Sequence, residues 1–177
     1  TAINGGAVTT LTTQTYNDAV TIGTTDATLT GTTVTFNGTL DGPQALTVNA
    51  ALVFNDVVGG ADPLASLTAN GTTAINGGAV TTLTTQTYND AVTIGTTDAT
   101  LNGTTVTFNA ALDGPQALTV DATLVLNDVV GGIDPLASLT ANGTTAINGG
   151  AVTTDSDQIY NDPVTLGADA TLTGSTV

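Results

Sequence analysis

Every formally charged side chain in this sequence is an aspartate: fifteen of them, with no Lys, Arg, His or Glu, for a net charge of −15. Three of these carboxylates, Asp155, Asp157 and Asp162, lie close together with Asn161 between them. Oxygen ligands at short spacing suit a hard cation, so these residues are the candidate calcium ligands. Solvated turn aspartates are the competing expectation, because the Gly-Gly-x-Gly-x-Asp nonapeptides of calcium β-rolls are absent. Aspartate pairs are also the only groups present that could act as acid and base on a polysaccharide. Imidazole, thiolate, amine and guanidinium are all missing, which removes most general-base and nucleophilic chemistry. The sequence therefore names no catalytic residue, requires no cofactor and leads to the expectation of a protein that is not an enzyme.

Without cations no side-chain salt bridge can form, so each carboxylate must be solvated, accept backbone N–H groups in turns or bind a metal. Nucleic acid and anionic membrane are excluded as partners, since binding them rests on Lys and Arg. No apolar run approaches the roughly 20 residues that span a bilayer, so membrane insertion is not expected. Asn-Gly-Thr at Asn37, Asn70, Asn102 and Asn142 matches the glycosylation acceptor pattern, which a Thr-rich, Asn-Gly-rich composition produces readily.

These residues sit in a long repeat. Thr-Ala-Ile-Asn-Gly-Gly-Ala-Val begins at Thr1, Thr73 and Thr145, a period of 72 residues. The expected organisation is one continuous array: repeat 1 over 1–72, repeat 2 over 73–144 and a partial repeat 3 over 145–177. A fixed long period signals stacked units that bury a core only against their neighbours. The chain starts and stops inside a repeat and carries no signal-peptide pattern, so a portion of something longer is expected.

Within the repeat, an apolar or aromatic residue precedes Asn at Asn4, Asn17, Asn37, Asn55, Asn76, Asn89, Asn109, Asn127, Asn148 and Asn161. The intervals run 13, 20, 18 and 21 and then begin again, which suggests four coils of about 18 residues per repeat. Leu11, Leu29, Leu46, Leu67, Leu83, Leu101, Leu118 and Leu139 form a second ladder of similar spacing. Alternating Thr and Val between these markers reads as half-buried strand. An all-β parallel solenoid of about ten coils follows, roughly 45 to 50 Å long at the strand spacing. A tandem β-sandwich is the alternative, and it predicts hairpins within each unit.

All six aromatics, Tyr16, Phe36, Phe54, Tyr88, Phe108 and Tyr160, occupy the slot before Asn, which is the expected core stack. An uninterrupted strand would then carry Asp18, Asp56, Asp90, Asp128 and Asp162 into the same core, at prohibitive cost. The chain must turn at the Asn, a residue that tolerates left-handed geometry and whose amide can pair along the axis as a ladder. In the third copy Asp155 replaces Leu11 and Leu83, which calls for local rearrangement with Ile159 filling the core. Gly23-Thr24-Thr25-Asp26 shortens there to Gly167-Ala168-Asp169, which marks an exposed turn.

With Ala-Ile-Asn-Gly-Gly-Ala-Val, Thr-Val-Thr-Phe-Asn-Gly and Ala-Leu-Thr-Val-Asn-Ala in tandem, the chain resembles the giant β-strand-repeat surface proteins of bacteria, of the filamentous haemagglutinin and autotransporter adhesin type. The resemblance covers essentially all 177 residues. It implies a right-handed parallel β-helix exported to the cell surface, serving as stalk, adhesin shaft or matrix fibre. The partners then expected are the protein itself, by end-to-end continuation or filament formation, and other cell surfaces. A β-helix enzyme using Asp pairs is one alternative. An ice- or mineral-binding Thr surface is another, although the residues before the aromatic slot vary too much to predict a continuous Thr array.

Overall fold

Short Thr/Val/Ile alternations punctuated by Gly, Asn and Asp offer helix nothing to build on and favour pleated, half-buried strands. In the computed structural model, which describes residues 1–177, the chain forms 21 β-strands and no helix. The strand pairings are parallel from end to end, and no hairpin of the sandwich alternative occurs. Each parallel crossover is made by the rest of the coil.

The pairings sort the strands into three columns, the three faces of a solenoid. The first face runs from Ala2–Ile3 through Val20–Ile22 and Leu40–Asp41 to Ala79–Thr81, and ends at Gln158–Tyr160. The second begins at Ala7–Thr9 and ends at Val164–Leu166, and the third begins at Thr13–Tyr16 and ends at Thr171–Thr173. Longer strands such as Ala27–Phe36 cross a corner and serve two faces, with a register shift between Thr30 and Thr33.

One inward column gives the coil length. On the second face Val8, Leu29, Val48, Ala69, Tyr88, Phe108, Leu126, Ile147 and Leu166 follow one another in register. Their spacing is 18 to 21 residues, so the chain makes nine coils of about 20 residues, where ten coils of about 18 were expected. At the strand spacing the rod is roughly 40 Å long.

The 72-residue repeat is consequently not a whole number of coils. Its opening strand lies on the first face at Ala2–Ile3, on the third at Thr73–Ile75 and on the second at Thr145–Ile147. Each repeat covers eleven sides, three and two-thirds turns, and so steps back by one face. The expectation of four coils per repeat counted the 13-residue interval between Asn4 and Asn17 as a turn. Asn4 follows a first-face strand and Asn17 a third-face strand, so that interval is two sides of a coil.

The core is a single cluster of 38 buried apolar residues along the axis. Phe36, Phe54, Tyr88 and Phe108 lie in it, and the half-buried Tyr16 and Tyr160 pack against it, the six divided among the faces by the stepping of the repeat. Tyr16, Phe36 and Phe54 stack on the third face with centroids 5.0 and 5.8 Å apart, and Tyr88 and Phe108 on the second at 5.1 Å. Tyr160 stands on the first face in register with Ala141.

The leucine ladder is only partly a core feature. Leu46 stacks on Leu67 and Leu118 on Leu139, but Leu11 and Leu83 sit at turn tips, 97 and 59% exposed. Asp155 therefore replaces a surface leucine, and no rearrangement is needed. Ile159 points outward at 45% exposure and does not fill the core. The shortened Gly167-Ala168-Asp169 stretch is an exposed turn, as its deletion implies.

Candidate functional site

The outer chemistry of the rod is built at its corners. The residue before each Asn of the motif faces inward, within the core or packed against it, and the backbone turns at the Asn, leaving the amide at the surface. Asp18, Asp90, Asp128 and Asp162 are exposed as a result and Asp56 is half-exposed, so no carboxylate enters the core. No residue other than glycine has positive φ, so the corner is made without the left-handed geometry expected of Asn. The amides instead hold the corner by pairing between coils.

Three ladders form, each with Nδ2 donating to the Oδ1 one coil earlier. Along the third face Asn37 donates to Asn17, Asn55 to Asn37 and Asn76 to Asn55, each at 2.8 Å. Along the second, Asn70 donates to Asn49, Asn89 to Asn70, Asn109 to Asn89, Asn127 to Asn109 and Asn148 to Asn127, at 2.6 to 2.7 Å. On the first, Asn142 donates to Asp121 and Asn161 to Asn142. Asn4, Asn76 and Asn148 close against Gly23, Gly95 and Gly167, where a Cβ would collide with the amide oxygen. Asn49, Asn70, Asn142 and Asp121 were not anticipated from the sequence. The signal was present in Val48-Asn49-Ala50 and Ala69-Asn70-Gly71, the same corner motif with smaller residues.

A second polar device lies inside the rod. Gln86 is fully buried, and its Nε2 donates to the carbonyls of Val80 and Asn102, each at 2.9 Å, while its Oε1 accepts the Tyr88 hydroxyl at 2.9 Å. Gln14 with Tyr16 and Gln158 with Tyr160 repeat the arrangement. Burial raises all three tyrosine hydroxyls above their ordinary value, that of Tyr160 to about 12. Satisfying every polar atom is what allows a glutamine in the core, and no buried side-chain polar atom lacks a partner. The sequence signal is Tyr, rather than Phe, two residues after each of the three buried glutamines.

Many aspartates are spent on turns. Asp26 and Asp98 each accept a backbone N–H from the next coil, at Ala45 and Ala117, both at 3.0 Å. Asp56, Asp90 and Asp128 accept the N–H of the residue that follows each of them, at 2.8 Å. Asp41 accepts from Ala61 and Asp62, and Asp113 from Ile133 and Asp134, tying down the Gly59–Pro63 loop and its copy. Gly59 at φ 69° turns that loop against the Thr81 carbonyl, where no side chain fits.

The calcium candidates are not brought together. Asp155 and Asp157 lie on the turn before Gln158–Tyr160 and Asp162 lies beyond that strand, all exposed, and no group of three or more carboxylates able to hold a metal forms. One shallow concavity exists, on the last coil, lined by Leu166, Gly167, Ala168, Asp169 and Ala170, with a single carboxylate. Of the glycosylation matches, Asn37, Asn70 and Asn142 commit Nδ2 to a ladder, so a glycan there would break the chain of amides.

A threonine column does form, against expectation. Thr28, Thr47, Thr68, Thr87 and Thr107 follow in register on the outside of the second face, succeeded by Val125 and Ala146. The sequence did not show it because the array changes face with every repeat. No protein-family model, curated protein or solved structure matches this chain.

Proposed function

We propose that this chain is a shaft: a structural segment of an extracellular rod or fibre, displayed on a bacterial surface or in its matrix. The observation that carries this reading is the stepping of the repeat. Because each 72-residue unit ends one face away from where it began, further units add by the same screw motion, and every ladder is taken over by the next. Length can therefore grow by duplication without any change of coil. Lack of Lys and Arg leaves trypsin-like proteases no cleavage site, which suits an exposed fibre. Self-association through stacked coils, and contact with other surfaces, belong to the same proposal.

The test is imaging of chains with two, four and six repeats by negative-stain microscopy. Rods whose length rises by about 18 Å per added repeat, from three and two-thirds coils at the strand spacing, are expected. Compact particles of constant shape would remove the proposal.

The five-threonine column favours a second reading, binding of an ordered ice or mineral lattice. Its outward hydroxyls repeat at the coil spacing of about 4.8 Å, but the patch is only five coils long. Thermal hysteresis of the intact chain, lost on Thr68→Val with Thr87→Val, is the expected result if that reading holds.

A further inference from the structure

Three Asp-Pro bonds occur in the chain, at Asp62-Pro63, Asp134-Pro135 and Asp162-Pro163. The first two lie 72 residues apart in the exposed loops that interrupt the regular coil, and the fold treats them differently from the third. The Gly42 N–H donates to the Asp62 carbonyl oxygen at 2.8 Å, and the Gly114 N–H to that of Asp134 at 2.9 Å. The backbone N–H of each aspartate is held in turn by the carboxylate of Asp41 or Asp113, at 3.3 Å. The side chains of Asp62 and Asp134 make no hydrogen bond of their own and are exposed, whereas the carbonyl of Asp162 has no donor at all.

We propose that Asp62 and Asp134 cut their own peptide bonds to proline in mildly acidic water, dividing the rod at one bond per repeat. A side-chain oxygen of Asp62 attacks its own carbonyl carbon and forms a five-membered cyclic anhydride. The C–N bond to Pro63 breaks, and the proline nitrogen, a tertiary amide without N–H, leaves with a proton taken from the acidic solvent. One water then opens the anhydride, leaving Asp62 as a new C-terminus and Pro63 as a new N-terminus. The Gly42 N–H stabilises the negative charge that develops on the carbonyl oxygen during attack. The titratable group held against the first loop is Asp41, and against the second Asp113, with Asp155 on the next coil bonding the Leu136 carbonyl through its backbone N–H. All are carboxylates, so no cation competes for the attacking oxygen.

The third bond supplies the control. The intact chain is held at about pH 4, where carboxylates are partly protonated, once folded and once in guanidinium, and the products are weighed by mass spectrometry. In the folded chain, products 1–62, 63–134 and 135–177 should appear about ten-fold faster than any cut at 162–163, a fraction of the about 100-fold that one oxyanion donor supplies in an enzyme. In guanidinium the three bonds should cleave at similar rates. Asp62→Ala, with the solenoid verified by circular dichroism, should abolish the first cut and leave the second. Folded chain that stays whole, or that opens at 162–163 as fast as at the other two bonds, overturns the proposal, as does a preference that persists in guanidinium.

Discussion

At the scale of single residues, a side chain's place in its ladder decides what it may be. An interior amide gives Nδ2 to the coil before and takes Nδ2 from the coil after, and only asparagine or glutamine chemistry does both. The first member of a ladder only accepts, which is why Asp121 can stand where the preceding repeat has Asn49. Asn49→Asp should accordingly change stability by less than about 0.5 kcal/mol in a urea melt. Asn109→Asp sets a carboxylate against the Asn89 oxygen and loses a donor, so a loss of about 1–3 kcal/mol is expected. The buried Gln–Tyr pairs give the rod an alkaline limit. The hydroxyl of Tyr160 is pushed up to about 12, and that of Tyr88 is raised too, both by burial, while an unfolded tyrosine titrates near 10. Above pH 10 the unfolded chain releases protons that the folded chain keeps, so stability is whole below that value and falls as pH rises through 12. Melting temperature measured from pH 8 to 12 should show this decline, and Tyr160→Phe should make it shallower.

At the scale of strands and turns, the same residue type has opposite value on the two sides of a corner. Leu83 caps a turn and touches mainly water, so Leu83→Asp, the exchange the third copy carries at Asp155, should cost less than about 0.5 kcal/mol. Leu46 is stacked on Leu67 inside the rod, and Leu46→Ala should cost about 2–5 kcal/mol by chemical denaturation. The sequence could not separate these leucines, because spacing alone gives turn tips and inward positions similar intervals. Corners were legible where a bulky residue preceded Asn-Asp, since a buried carboxylate there would have been too costly, and the shared bulky-Asn pair extended the reading to Asn4, Asn37, Asn76, Asn109 and Asn148. They were missed at Asn49, Asn70 and Asn142, where the preceding Val or Ala gave no such contrast. The buried glutamines went unrecognised for a related reason: Gln14 and Gln86 lie in Thr-Gln-Thr, a polar run that reads as surface, and only the backbone carbonyls of neighbouring coils make its burial possible.

For the whole molecule, stacking in register was legible from the repeat, but its phase was not. Asn intervals of 20, 18 and 21 are turns within one ladder, while the interval of 13 is the passage from one corner to another, and periodicity by itself does not distinguish the two. The consequence is a screw symmetry: each 72-residue unit advances three and two-thirds coils, so only after three units does the same residue return to the same face. Spin labels on Thr28 and Thr107 should therefore lie along one face, four coils or about 19 Å apart. Labels on Thr28 and Thr100, equivalent in sequence, occupy different faces, second and first, and must be separated across the rod as well as along it. Pulsed electron resonance should give the longer distance for the pair of identical sequence position. Were four whole coils to make one repeat, the order would invert, with Thr28 and Thr100 aligned and Thr107 around the corner. That inversion would also undo the ladder hand-over, since Asn76 and Asn89 would then have to share a corner.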